Sequence, residues 1–233
     1  MKKEDQQTQS QILAYLTELE INNTREWYHD HKEEYQKANS EFENLLAQLI
    51  LRLGEKDPSI AYLAPKDITF RIFRDTRFSI DKSPYNPTFR AHIAAKGKCF
   101  IPVGYYISIA PNNRSFLGVG LYMNQLKDAT AMVRKYIVKH EEEWEDIITS
   151  PQFENTFTVK GTKLKNIPRG YDSDHSQAQY LKHKSWYIDY PLTDEIINTP
   201  SLFLEEVTNR FLQMQPFKNF LNQALEHFQM PEK

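Results

Sequence analysis

The spacing of the apolar residues changes along the chain, and this change constrains the fold more than any other feature of the sequence. Between Thr24 and Gly54, apolar side chains recur every three or four residues, which is typical of an amphipathic helix. Thr24 is a suitable N-cap for this helix, and Gly54 is a suitable end. At roughly 1.5 Å per residue, the helix would be about 45 Å long. It therefore needs a broad apolar surface on which to pack.

The middle of the chain supplies that surface, because its apolar residues alternate with polar ones. This alternation is typical of β-strands with one buried face, and it occurs in residues 68–72, 89–95, 100–110 and 115–122. The last two segments flank a Pro-Asn-Asn-Arg sequence, which predicts a hairpin turn. We therefore expect an antiparallel sheet of about four or more strands.

Helical spacing is found on both sides of this sheet. A short amphipathic helix is predicted around residues 12–19, and a second long helix is predicted from an N-cap at Asn124 through Trp144. A further strand is predicted at residues 186–190.

The C-terminal part predicts two helices. The first follows Pro200 with Ser201 as its cap, and the second follows Pro216. Helices before and after an antiparallel sheet predict an α+β fold, with long N-terminal, central and C-terminal helices flanking the sheet. We expect residues 1–233 to form a single domain of this class.

Charge and cysteine content exclude several classes of protein. The 29 Lys and Arg against 31 Asp and Glu give a net charge of -2, so we expect neither nucleic acid nor a membrane as a partner. The polar residues 1–7 do not resemble a signal peptide, and Cys99 is the only cysteine. We therefore expect a cytoplasmic protein without an intramolecular disulfide. The sequence identifies no cofactor and no protein partner.

Polar side chains are concentrated first in residues 71–85, which contain Arg74, Asp75, Arg77, Asp81 and Lys82. A guanidinium group donates parallel hydrogen bonds to carboxylate or phosphate, so several in one loop are suited to binding an anion. The same residues are also suited to a structural cluster of ion pairs. The sequence leaves both interpretations open.

A second polar concentration lies around residues 168–175. Arg169 and Asp172 are candidate ligand-binding residues, and His175 is a weak candidate for proton transfer near neutral pH. Asp172, Asp174 and His175 are also weak candidates for metal ligands, although their spacing equally suits the cap of a short helix.

Single residues outside these stretches are less informative. His31 falls on the predicted buried stripe, where it is expected to be a hydrogen-bonded core residue. His92 points away from its apolar neighbours, so it is either solvated or on a functional face of the sheet. Gly118 and Gly120 share one face of a strand, which indicates either a bend or a close approach to the backbone.

Several motifs in order resemble the conserved-hypothetical family called domain of unknown function 2461. They include FRIFRDTRFS at residues 70–79 and DKSPY at residues 81–85, and the others lie at residues 22–28, 104–106, 168–172 and 174–175. Where family members usually have Lys-Thr after Ser-Pro-Tyr, this chain has Asn86 and Pro87. The resemblance covers roughly residues 10–215 and implies an α+β domain in which the two polar stretches meet. It implies no established reaction.

Two functions follow as hypotheses. The first is binding of a phosphate- or carboxylate-bearing small molecule by Arg74, Arg77, Lys82 and Arg169, with Asp75 and Asp172 orienting the cations and catalysis left open. The second is a non-enzymatic protein-interaction module whose Arg and Asp cluster is structural. It is suggested by 14 Phe, 13 Tyr and three Trp, more aromatic residues than most cores of this size contain.

Overall fold

A computed structural model describes residues 10–122 and 126–230 of the chain. Its fold is α+β, as the sequence predicts, with a four-stranded antiparallel sheet in the order β1-β2-β3-β4. The strands are β1 (Phe89–Ile93), β2 (Tyr105–Ile109), β3 (Ser115–Leu121) and β4 (Trp186–Leu192).

The helices come before, between and after these strands. In chain order they are α1 (Gln11–Ile21), α2 (Arg25–Asp30), α3 (Lys32–Gly54), α4 (Pro65–Ile68), α5 (Lys127–Lys139), α6 (Glu141–Thr149), α7 (Pro151–Glu154), α8 (Ala178–Leu181), α9 (Asp194–Ile197) and α10 (Pro200–Ala224). None of the helices in these described ranges is both long enough and apolar enough to cross a membrane.

One face of the sheet forms the hydrophobic core together with the two longest helices. Phe89 of β1 is fully buried and stacks on Phe42 of α3, with ring centroids 5.4 Å apart. Tyr105 of β2 packs on Phe211 of α10 with the rings tilted and their centroids 4.9 Å apart. The alternation of buried and half-buried residues in β1 places Arg90 on the opposite, outer face. Helix packing therefore leaves the outer face available for other contacts.

The predicted hairpin between β2 and β3 is confirmed. Its turn contains Asn112 and Asn113, both with positive φ (64° and 56°), a conformation that Asn tolerates better than most residues. The backbone N–H groups of both asparagines donate to the Asp194 carboxylate, each at 3.0 Å. This carboxylate connects the turn to the start of α9.

Both predicted long helices are interrupted. The first has the predicted N-cap, since the Thr24 hydroxyl accepts a hydrogen bond from Trp27 N at 3.2 Å. It breaks at His31, which is half-buried rather than a core residue and stacks on Trp27 at 4.2 Å. The second breaks at His140. Its predicted cap, Asn124, lies outside the described residues.

The prediction of two C-terminal helices is wrong. A single helix, α10, runs through Pro216, and Thr199 rather than Ser201 occupies its N-cap position. An internal proline costs a helix about 3 kcal/mol. Here Met214, Phe217 and other side chains on both sides of the proline are fully buried, and their burial offsets that cost.

The predicted strand at residues 68–72 and the first part, residues 100–104, of the strand predicted at 100–110 are also absent as regular elements within the described chain. Ile68 ends α4, and Thr69 then forms only an isolated bridge with Ala91. Residues 100–104 form an irregular segment before β2. The alternation of apolar and polar residues alone therefore predicts more strand residues than the sheet contains.

A buried ion pair connects the turn that follows α3 to α10. The Lys218 ammonium lies 2.5 Å from the Asp57 carboxylate, and both residues are buried. Burial opposes ionisation of Asp57, but hydrogen bonds from Lys218 and Ser59 outweigh it, so the pKa of Asp57 is lower than its ordinary value.

We expect Asp57→Asn to lower the free energy of unfolding by roughly 3 kcal/mol, because it leaves the Lys218 charge buried without its partner. Urea unfolding at neutral pH measures this difference. Since the folded pKa of Asp57 is depressed, the stabilisation is present above the ordinary value of 3.8 and is lost as the pH falls below it. The two proteins should therefore converge in acid. A difference that stays constant or grows in acid would contradict this role of Asp57.

Candidate functional site

The arginine-rich residues form a hairpin-like loop, residues 71–87, which we call the arginine hairpin. Its two arms are joined by backbone hydrogen bonds from Arg74 N to Pro84 O (2.9 Å) and from Asn86 N to Ile72 O (2.7 Å). The side chain of Asn23 holds the returning arm, since it donates to Tyr85 O and accepts from Tyr85 N. The loop therefore has a defined structure.

Two of the three arginines of this hairpin, Arg74 and Arg77, have carboxylate partners within the loop. Arg74 pairs with Asp81 and also donates to Ser79 Oγ. Arg77 forms a bidentate pair with Asp75, with Nε–Oδ1 and Nη2–Oδ2 distances of 2.9 and 2.7 Å.

The remaining predicted groups of the hairpin are also engaged. Lys82 donates to Thr76 O at 3.0 Å. The pKa values of Asp75 and Asp81 are lowered, the first mainly by Arg77 and the second mainly by Ser83 and then Arg74. Arg74, Arg77 and Lys82 thus already have acceptors. Ligand binding by these residues remains a prediction.

The second polar stretch packs against α6 instead. Ser176 donates to Glu141, and His175 Nε2 lies 3.8 Å from the same carboxylate. Asp172 accepts a hydrogen bond from Asp174 N at 3.0 Å, as in a local turn. Arg169 is exposed and has no hydrogen bond or ion pair within residues 10–122 and 126–230.

The metal candidates in this stretch do not converge. No group of three or more His, Cys, Asp or Glu residues that could hold a metal ion occurs in the described part of the chain. Asp172, Asp174 and His175 instead form hydrogen bonds within their own loop or face α6.

The two polar stretches flank opposite edges of the sheet. The chain enters the arginine hairpin alongside β1, where Phe70 N donates to Arg90 O at 2.9 Å. It enters the second stretch alongside β4, where Lys160 bridges Tyr187. β1 and β4 are the two edge strands of the order β1-β2-β3-β4.

These two loops also leave the sheet at opposite ends. The segment beside β1 and the segment beside β4 each run antiparallel to that edge strand. Each segment continues beyond the first residue of its strand, which is Phe89 in β1 and Trp186 in β4. β1 and β4 run in opposite directions, so these first residues lie at opposite ends of the sheet. The expectation that the two stretches meet is therefore wrong, because they lie at diagonally opposite corners.

A different set of side chains forms a pocket on the outer face of the sheet. Its volume is about 260 Å³. We call it the outer-face pocket, and it is lined by Phe70, His92, Lys98, Phe100, Gly104, Tyr106, Phe116, Gly120 and Tyr122. Most of this lining is aromatic, and the polar groups are few.

Glycine residues make room for this pocket and its walls. A Cβ atom at Gly104 would lie 2.5 Å from Ile93 O and 2.8 Å from His92 Nε2. A Cβ atom at Gly118 would lie 2.1 Å from the Tyr122 hydroxyl, so Tyr122 folds back over β3. The close approach expected at Gly118 is thus made by the protein's own side chain.

His92 is fixed at one side of the pocket by two hydrogen bonds. Its Nδ1 lies 2.9 Å from Gly97 O, and its Nε2 lies 3.1 Å from Gly104 N. Because Gly104 N–H is a donor, Nε2 must accept and Nδ1 must carry the proton. Burial lowers the pKa of His92, and the hydrogen bond to Gly97 opposes this only in part. The ring is therefore neutral and held in one tautomer.

Two cations lie at or beside the pocket without carboxylate partners in the described residues. Lys98 lines the pocket directly. The Arg90 guanidinium lies 5.7 Å from the Phe70 ring centroid and donates to Arg71 O at 3.3 Å, while its Nε is buried without a hydrogen-bond partner in the described chain. This side of the pocket is therefore positively charged.

Tyr122 and its neighbours close the other side. The Tyr122 ring stacks on Tyr187 with centroids 4.6 Å apart, and the Tyr106 ring lies 6.3 Å away. Burial raises the pKa of Tyr122, and the nearby Asp189 carboxylate raises it further. Asp189 itself is paired with Lys160 at 2.5 Å. The hydroxyl is therefore a neutral hydrogen-bonding group at physiological pH.

The model of a protein family described as conserved hypothetical protein (DUF2461) matches residues 11–220. The chain belongs to this family. The match confirms the resemblance inferred from the motifs, and its limits agree closely with those expected from the sequence. No curated protein and no solved structure matches this DUF2461 chain.

Sequence reasoning missed most of the outer-face pocket of this DUF2461 protein. The available signals were His92, which points away from its apolar neighbours, and the two glycines of β3. A further signal was the presence of Tyr106 and Phe116 at outward-facing positions, where polar residues are more usual. The lining from the β1–β2 loop, Lys98 and Phe100, has no periodicity that could identify it.

We expect the His92 ring to take up its proton below the ordinary histidine value of 6.5, because its environment is buried and both nitrogens are hydrogen-bonded. A titration of the histidine ring signals by NMR, assigned with His92→Gln, measures this pKa. Because the folded pKa is depressed, this site costs no stability above pH 6.5 and lowers the free energy of unfolding as the pH falls below it. A His92 signal that titrates at or above 6.5 would contradict the described geometry.

Proposed function

We propose that this protein binds a small molecule with one flat apolar ring and a carboxylate or phosphate group in the outer-face pocket. The observation that carries this proposal is an aromatic pocket on a sheet face, with cations on one side that have no carboxylate partners among the described residues. The ligand class is the one expected from the sequence, whereas the site differs.

The size of the pocket limits the ring. A cavity of about 150 Å³ is enough for benzene, and pockets for drug-sized ligands begin near 300 Å³. At about 260 Å³, the pocket suits one ring with a small substituent. The aromatic walls Phe70, Tyr106 and Phe116 would contact the faces and edges of such a ring.

The charge of the pocket supports the anionic substituent. Lys98 and Arg90 approach from the same loop and strand region, and a charge-assisted hydrogen bond to an anion is stronger than one between neutral groups. A neutral ring would leave Lys98 without an anionic acceptor.

The state of His92 supports binding rather than catalysis at this site. Both of its ring nitrogens are already hydrogen-bonded to the backbone, so neither is available to move a proton of a ligand. Its role in the pocket is to fix Gly104 and the β1–β2 loop. As the single exposed cysteine, Cys99 in this loop suits a reducing compartment, and we propose that binding takes place in the cytoplasm.

The arginine hairpin is the alternative binding site for the same class of anion. The pairing of Arg74 with Asp81 and of Arg77 with Asp75 supports a structural role for its cluster instead. An anion would have to displace a carboxylate from each arginine. We therefore prefer the outer-face pocket.

Four probes separate the contributions of ring and charge: benzoate, phenyl phosphate, benzyl alcohol and inorganic phosphate. A fluorophore on Cys99, which lies between the lining residues Lys98 and Phe100, reports binding, and thermal shift of the unlabelled protein checks it. We expect benzoate or phenyl phosphate to bind more tightly than either benzyl alcohol or inorganic phosphate. Equal, negligible binding of all four would contradict the proposal.

Matched variants then locate the site. We expect Lys98→Gln to weaken binding about tenfold, which corresponds to about 1.4 kcal/mol. Lys96→Gln, on the same loop but outside the lining, should bind like the wild type. Loss of binding in the double variant Arg74→Ala and Arg77→Ala, with Lys98→Gln unchanged, would move the site to the arginine hairpin.

A further inference from the structure

The tip of the arginine hairpin presents two large apolar side chains to solvent. Phe78 is 95% exposed and Ile80 is 101% exposed, so neither contributes to the core of the described chain. At the base of the hairpin, Phe73 is also 54% exposed. Large apolar side chains exposed together on one loop indicate an interaction surface.

This tip is held in place by its own polar contacts. Around Phe78 and Ile80, the Arg77–Asp75 and Arg74–Asp81 pairs and the hydrogen bonds from Ser83 to Asp81 connect neighbouring parts of the loop. A loop that is already ordered loses little conformational entropy when it binds. The exposed side chains are therefore preorganised for a partner.

The charges at the tip favour a protein over a lipid surface. The hairpin carries four cations, but Asp75 and Asp81 neutralise two of them within the loop. Lipid headgroups are recognised by clusters of about four to eight Lys or Arg. Only two cations, Arg71 and Lys82, remain without a carboxylate partner in the loop, which is fewer than such a cluster needs, whereas a protein can match a mixture of charges.

A groove with complementary properties lies between α1 and the α2–α3 junction of the same chain. It has a volume of about 240 Å³ and an apolar wall of Ala14, Tyr15, Trp27 and the stacked His31. The exposed carboxylates Glu18 and Glu34 also line it, together with one cation, Lys37. Neither Glu18 nor Glu34 forms an ion pair within the described residues. We call this the α1–α2 groove.

The hairpin and the groove are neighbours on the surface. At the base of the hairpin, Phe73 and Tyr85 pack on Tyr28, with ring centroids 5.6 and 4.6 Å away. Tyr28 directly follows Trp27 of the groove. When a projection and a complementary groove lie on the same face, two copies of the chain can pair about a two-fold axis, so that the projection of each copy enters the groove of the other.

We propose that a second copy of this chain occupies the α1–α2 groove, with the Phe78 and Ile80 tip of each protomer inserted into the groove of the other. The groove volume suits a single large side chain, and Lys82, which has no carboxylate partner among the described residues, would approach Glu18 and Glu34 of the other protomer. Two reciprocal contacts, each filling a groove of about 240 Å³, give an interface whose area lies at the lower end of the range for specific complexes. The dimer is therefore reversible and depends on concentration.

Sedimentation velocity over a concentration series tests the proposal on the full chain. We expect the wild type to shift from monomer to dimer, and the double variant Phe78→Ser and Ile80→Ser to remain monomeric. These residues are exposed, so the variant should keep its fold, which circular dichroism verifies. Tyr62→Ser is the matched control, since Tyr62 is 97% exposed outside both surfaces, and it should dimerise like the wild type.

A disulfide experiment tests the contact itself. One chain carries Ile80→Cys and a second carries Ala14→Cys, both with Cys99→Ser, and the two are mixed and oxidised. We expect a disulfide between the two different chains, and none when Tyr62→Cys replaces Ile80→Cys. A wild type that stays monomeric at every concentration would overturn the proposal. So would a tip variant that dimerises as well as the wild type, or the absence of the disulfide.

Discussion

Burial of one face of the sheet against α3 and α10 is the interaction on which the rest of the structure depends. Phe42 on Phe89 and Phe211 on Tyr105 join the longest helices to the first two strands, and the Asp57–Lys218 pair connects the two helices beside them. Because these helices pack on only one face of the sheet, they do not cover the aromatic side chains on the other face. The outer-face pocket is a consequence of this one-sided packing.

Charged residues have different roles in the arginine hairpin and in the outer-face pocket. In the arginine hairpin, the carboxylates of Asp81 and Asp75 pair with the guanidinium groups of Arg74 and Arg77, so the charges order a loop. In the outer-face pocket, Lys98 and Arg90 lack such partners within the described chain, and aromatic rings lie beside them. The number of arginines in a segment therefore says less about binding than the number of acceptors near them.

The sequence predicts the fold class well because periodicity reports burial, and burial decides β1, β3, β4 and the long helices. It fails where two local preferences compete. Pro216 should end a helix, but the buried side chains around it continue α10. Residues 68–72 alternate like a strand, but Ile68 ends α4 and the residues after it form only an isolated bridge, from Thr69 to Ala91. The pocket could be foreseen only in part, from His92, Gly118 and Gly120, because Lys98 and Phe100 reach it from an irregular loop whose path depends on tertiary contacts.

The placement of the two polar loops at diagonal corners has a consequence for variation in this protein. They share no hydrogen bond or ion pair within the described residues, and the width and length of the sheet separate them. Changes of length or charge in one loop should therefore have energetic effects that add to, rather than modify, those in the other. Each corner is free to acquire its own role while the sheet between them stays the same.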